Sequence, residues 1–80
     1  MPCMNMRHMK DNQQGVICSI NARGELGRRI RDMGLVPGTR VKVKGRAPLF
    51  DPVALQLMGF TLTLRNNEAD FIEVDVDELH

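Results

Sequence analysis

The chain has no tryptophan and no tyrosine, and its three phenylalanines are Phe50, Phe60 and Phe71. Proteins that hold single-stranded nucleic acid stack its bases on aromatic rings, at about 1–3 kcal/mol per base. Phe60 and Phe71 fall in strand-like runs and are expected in the core, which leaves no stacking platform and argues against a nucleic-acid partner. Histidine is scarce as well, with only His8 and His80, near the two ends. A nucleophilic cysteine or serine needs a base held against it, and neither end offers one, so the chain is not read as an enzyme. No apolar run approaches the roughly 20 residues that span a bilayer, and the N-terminus lacks the apolar block of about 7–15 residues that a secretory signal carries. A cytoplasmic location follows. The two cysteines, Cys3 and Cys18, are too few for a disulfide-built secreted scaffold and are expected as reduced thiols.

What the chain does contain is a globular balance, 42% hydrophobic and 26% charged, close to the averages of roughly 45–50% and 25% for soluble domains. Its 80 residues make one domain and not two, since a single core becomes marginal below about 70–80 residues. The net charge of +1 conceals an asymmetry: residues 1–46 hold ten basic and three acidic side chains, residues 47–80 one basic and seven acidic. Two arrangements are open. Either the halves occupy separate faces and make a dipole that steers a charged partner, or they interleave in one barrel and neutralise each other.

The strand signals are short and regular. Val16, Cys18 and Ile20 recur at period two, which predicts a half-buried strand with Cys18 facing the core. Leu26, Ile30 and Met33 recur at helical spacing and predict a short helix stopped by Gly34. Glu25 with Arg29 and Arg28 with Asp32 are candidate i,i+4 pairs on it. Val36-Pro37-Gly38 predicts a type II turn. Beyond it, Val41 and Val43 alternate with Arg40, Lys42 and Lys44, so that strand should bury one face and present a row of cations on the other. Residues 47–51 read as a loop carrying Leu49 and Phe50. Val53, Leu55 and Leu57 alternate, as do Phe60, Leu62 and Leu64, with a tight turn at Met58-Gly59 between them. Residues 65–70 read as a helical turn or loop before a last strand from Phe71 to Val76. Glu73, Asp75 and Asp77 then form its solvated face rather than a pair of catalytic carboxylates. Five strands in so short a chain must curl or close. The expected fold is mainly β, a small five-stranded SH3-like barrel with one short α-helix between the first two strands. Residues 1–14 are expected as a loosely ordered segment docked through Met6 and Met9, 15–76 as the barrel, and 77–80 as an acidic tail.

From Gly15 to Val76 the sequence resembles the FeoA family, the small cytosolic proteins of bacterial ferrous iron transport. Three stretches carry the resemblance in order: Ile30-Arg-Asp-Met33-Gly34-Leu35-Val36-Pro37-Gly38, then Arg46-Ala-Pro-Leu-Phe-Asp-Pro52, then Gly59-Phe-Thr-Leu-Thr-Leu-Arg65 with Glu68-Ala69. The resemblance implies an SH3-like barrel, no catalytic residues, no required cofactor, and a role as accessory to FeoB, the membrane permease whose cytosolic part includes a GTPase domain. Contact with the membrane would then be indirect, through the permease. The same barrel resembles the C-terminal domain of iron- and manganese-dependent repressors, but the winged-helix and dimerisation parts of those proteins are not in this sequence.

For partner contact the expected residues are Leu35 and Val36 at the helix-to-turn corner, Leu49 and Phe50 at the loop tip, and the Arg40, Lys42, Lys44 row, with apolar anchors giving affinity and cations setting approach. Two alternatives remain beside the accessory role. Cys3 and His8, with Met4 and Met6 near them, could collect a soft or adventitious metal, although the spacing of a structural zinc site is missing. The cations could bind nucleic acid through its phosphates. Exposed strand edges allow weak self-association.

Overall fold

Successive side chains on a strand point to opposite faces, and the runs with the clearest alternation form the middle of the molecule. The computed structural model of the chain describes residues 3–46 and 52–77. Val53, Leu55 and Leu57 turn inward from β4 (Val53–Leu57), and Val41 and Val43 do the same from β3 (Arg40–Arg46). A two-residue turn at Met58-Gly59 joins β4 to β5 (Phe60–Leu64), with Leu57 opposite Phe60 and Val53 opposite Leu64. β2 (Gln14–Ile20), β6 (Ile72–Val76) and a two-residue β1 (Met4–Asn5) complete one six-stranded sheet in the order β1-β6-β2-β3-β4-β5, with every neighbouring pair antiparallel. The sheet wraps around a single core that includes Ile17, Ile30, Leu35, Leu55, Leu64 and Val74.

Helix α1 (Gly24–Asp32) ends as its glycine predicts. Gly34 takes φ +95°, its N–H donates to the Arg31 carbonyl at 2.9 Å, and the Leu35 N–H reaches the Ile30 carbonyl at 3.3 Å. This pair of bonds is the Schellman arrangement, whose usual companion is an apolar contact between the residues at its two ends. Ile30 and Leu35 are accordingly both fully buried. The Val36-Pro37-Gly38 turn also forms, with the Thr39 N–H donating to the Val36 carbonyl at 3.0 Å and Gly38 at φ +95°.

The structure differs from the sequence reading in four respects. First, residues before β2 are built into the fold rather than loosely ordered: β1 pairs with β6 and Met6–His8 form a 3₁₀ turn capped by the Asn5 side chain, while Met6 and Met9 dock in the core as expected. Because β1 comes first, α1 lies between the second and third strands. Second, β2 turns Gly15 and Ile17 inward while Val16, Cys18 and Ile20 are only half-buried. Gly15 has no side chain to mark its face, so the apolar pattern shows the wrong phase, and the register shift between Ile17 and Ser19 breaks the alternation at Cys18. Third, Cys18 is not a free thiol: it is bonded to Cys3, the two Cα atoms 6.7 Å apart. The curl of the sheet carries the start of β1 across β6 to the bulge, a proximity that a separation of 15 residues does not announce. Fourth, Glu25 pairs with Arg28 at 3.9 Å, not with Arg29.

Charge is interleaved across the two halves of the chain. Arg7 with Asp70, Arg29 with Glu68 and Arg40 with Asp77 lie 2.9–3.1 Å apart, and each joins the basic half to the acidic half. The pairing of β6 beside β1 and β2 accounts for Arg7 with Asp70 and Arg40 with Asp77, whose acids lie just beyond its two ends, whereas Arg29 with Glu68 joins α1 to the helical turn before β6. No helix of the described residues is long and apolar enough to cross a membrane.

Candidate functional site

With Val41 and Val43 committed to the core, Arg40, Lys42 and Lys44 take the outer face of β3. Arg40 and Lys44 are exposed and Lys42 is half-buried. Lys42 sits between Gln14 of β2 and Gln56 of β4, and Gln56 stands opposite Thr61 of β5. That row across four strands has no carboxylate in it. Arg40 Nη1 donates to Asp77 Oδ2 at 2.9 Å, whereas Lys42 and Lys44 have no ion pair among the described residues.

An apolar corner adjoins the end of α1. Val36 is exposed there, but Leu35 is not available to a partner, since the Schellman turn drives it into the core. Its place is taken by Phe60, half-exposed at 50%. A Cβ added to Gly34 would meet Phe60 Cζ at 3.7 Å, so the ring lies over the glycine that ends the helix. Phe60 opens β5, the outermost strand of the sheet, so no further strand of the described residues covers it. Phe71 is likewise more exposed than expected, at the residue before β6 begins. Met58, at the tip of the β4–β5 turn, is 95% exposed. The tight turn legible at Met58-Gly59 signals that exposure, whereas no sequence signal separates Phe60 from a core aromatic. Leu49 and Phe50 lie outside the described residues.

The suggested metal ligands are not gathered. Cys3 is bonded to Cys18, and His8 is exposed on the 3₁₀ turn. Among the described residues no three His, Cys, Asp or Glu side chains group as a metal would require.

Glu68, noted in the sequence only as part of the family resemblance, has a structural role. It belongs to α2 (Asn66–Ala69), and only 7% of its side chain is exposed. Its Oε1 accepts from the Arg65 N–H at 3.0 Å, which closes the first turn of α2. Its Oε2 makes no aligned hydrogen bond but lies 3.1 Å from Arg29 Nη2, so a cation on α1 offsets the buried charge. The pair borders a cleft of about 300 Å³ that Met33, Thr63 and Arg65 also line. Glu68→Ala should destabilise the fold by about 1–3 kcal/mol, because it leaves the Arg65 amide without its acceptor. Glu68→Gln keeps an acceptor in place and should cost roughly 1 kcal/mol or less, since Arg29 is largely solvated. Denaturant titration of both variants checks the ordering.

The model of the FeoA domain family matches residues 4–76. The chain belongs to the FeoA family. That span takes in β1 and the 3₁₀ turn as well as the barrel strands. Over 73 residues the chain is 36% identical to the Fe(2+) transport protein A/Fe(2+) transporter FeoB fusion protein of Porphyromonas gingivalis, covering 91% of this chain and 9% of that one. The chain therefore spans under a tenth of the curated relative it matches. Its structure is similar to that of a FeoA-like protein from Clostridium acetobutylicum, with a TM-score of 0.92 and 34% identity over 100% of this chain and 93% of the other. It is also similar to FeoA of Stenotrophomonas maltophilia, a prokaryotic SH3 domain protein solved in complex with zinc, with a TM-score of 0.77 and 26% identity over 90% of this chain and 89% of the other. The fold of this FeoA chain is accordingly an SH3-like one, mainly β, with six antiparallel strands in one sheet and two α-helices among the described residues.

Proposed function

We propose that this FeoA protein is a non-catalytic cytoplasmic accessory of ferrous iron transport that binds the cytosolic, GTPase-containing part of a FeoB-type permease. The observation that carries the reading is the Porphyromonas gingivalis relative, in which transport protein A and the FeoB transporter form one fusion protein. Fusing two partners keeps them at high effective concentration, which is useful where the unfused proteins must meet. The role requires no cofactor.

The residues proposed for contact are Val36 and Phe60 at the corner and the cations Arg40, Lys42 and Lys44 on the outer face of β3, with Leu49 and Phe50 kept as candidates from the sequence alone. Phe60 is the anchor, since a half-exposed aromatic against a rigid glycine turn loses little freedom when a partner covers it. The test is a calorimetric titration of the full chain against the cytosolic part of a cognate permease, with each guanine nucleotide and without. Wild type should bind, and Phe60→Ser should weaken binding about tenfold, or ~1.4 kcal/mol. Absence of wild-type binding in every nucleotide state would defeat the accessory reading, and equal affinity for Phe60→Ser would remove the corner from the interface.

A further inference from the structure

The β3–β4 ladder ends at the pair Lys42 and Gln56. Past that pair β3 continues back to Arg40 while β4 runs through Leu57 into the Met58-Gly59 turn. Between the two lies a shallow groove of about 340 Å³. Val41 and Leu57, both buried, line it together with Arg40, Lys42, Gln56 and the exposed Met58.

Two properties of this groove indicate what fits it. Its charge is of one sign: Asp77 occupies Arg40, but Lys42 has no carboxylate partner among the described residues, and neither has Lys44 next along the outer face. Its apolar end is a methionine almost wholly in water, a flexible, polarizable side chain suited to packing on varied apolar shapes. Apolar side chains beside Lys42, unpaired among the described residues, with Lys44 next along the same outer face, are complementary to an acidic chain with an apolar anchor.

We infer that the groove is the docking site for an acidic peptide segment bearing a large apolar side chain, contributed by the permease's cytosolic part. Its carboxylates meet Lys42 and Lys44, and its apolar side chain lies against Leu57 and Met58. The inference rests on the accessory reading above and adds the chemistry of the segment recognised. Nucleic acid would be drawn to the same cations but would make no use of Met58.

The test uses the full chain, isotope-labelled for amide NMR, and three probes: a short peptide of glutamates around two leucines, the same peptide with serines for the leucines, and a single-stranded oligonucleotide. The leucine peptide should shift the amides of Lys42, Gln56 and Met58 and bind at least about fivefold more tightly than the serine peptide. In parallel, Lys42→Glu and Met58→Ser should each weaken binding to the cytosolic permease part about fivefold or more while leaving the amide spectrum folded. Undiminished permease binding by both variants would overturn the groove and leave the accessory reading standing. Peptide binding in the groove with no permease binding would do the reverse to the accessory reading and would remove the permease as the source of the segment. Oligonucleotide binding as tight as the leucine peptide's and indifferent to Met58→Ser, or self-association lost in both variants with no peptide binding, would also overturn it.

Discussion

Replacing Gly15 with alanine should lower the melting temperature by roughly 12–24 °C. Gly15 of β2 stands opposite Val76 of β6. A Cβ at that position would overlap the Asp75 carbonyl oxygen and lie 2.8 Å from the Val76 Cα and 2.9 Å from the Asp75 carbonyl carbon. All three are backbone atoms, so no rotamer change relieves the overlap and β6 itself must move. β6 is the strand between β1 and β2, and moving it disturbs both ladders. Overpacking a well-filled site costs about 1–3 kcal/mol and occasionally more; with rigid backbone as the obstacle we expect about 3 kcal/mol or more. Total stability for a domain of this size is only about 4–12 kcal/mol. Gly45→Ala is the internal control, because a Cβ there meets nothing within 4 Å. Circular dichroism melts of the two variants should differ sharply, and equal melts would show that β2 and β6 are not in this register.

Met6→Ala should cost about 2–5 kcal/mol, the range for emptying a buried methionine site. Met6 is fully buried, Met9 nearly so, and the backbone around them is bonded on both sides. β1 pairs with β6, the Asn12 N–H donates to the Val43 carbonyl at 2.8 Å, and the Val43 N–H donates to the Gln13 carbonyl at 2.8 Å. The N-terminal segment therefore closes one side of the core. Met6→Leu, which conserves volume, should cost less than about 1.5 kcal/mol, and Met4→Ala, at an exposed position, about 0.5 kcal/mol or less. Urea unfolding separates these cases. A segment that only rests on the barrel would give small, similar values for all three variants.

The candidate site was partly legible. The cations of β3 could be read directly, because Val41 and Val43 are β-branched and strictly alternate, so the intervening side chains have only the outer face to occupy. Val36 was legible by its place before Pro37-Gly38. Leu35 was misread, since its burial depends on a bond from its own amide back to Ile30, which a linear pattern does not display. Phe60 was misread in the opposite sense: its alternation with Leu62 and Leu64 points inward, yet β5 is the last strand of the sheet and has no neighbour to cover its first residue. Glu68 belongs to a stretch that carries the family resemblance, but its burial carried no signal, because its carboxylate is met by Arg29, far away in the chain and brought close only by the folded barrel.

By itself the sequence determined a mainly β fold, the positions of five strands, one helix and two tight turns, the inward faces of β3 and β4, and the family. These rest on interactions within a few residues: alternation, glycine and proline conformations, and helix periodicity. The tertiary structure alone decided the sixth strand, the phase of β2, the Cys3–Cys18 bond, the mixing of basic and acidic halves, and the meeting of Met58 with the cations of β3. Each of those depends on which strands become neighbours once the sheet curls, a choice made by the whole core at once and by no local stretch of the chain.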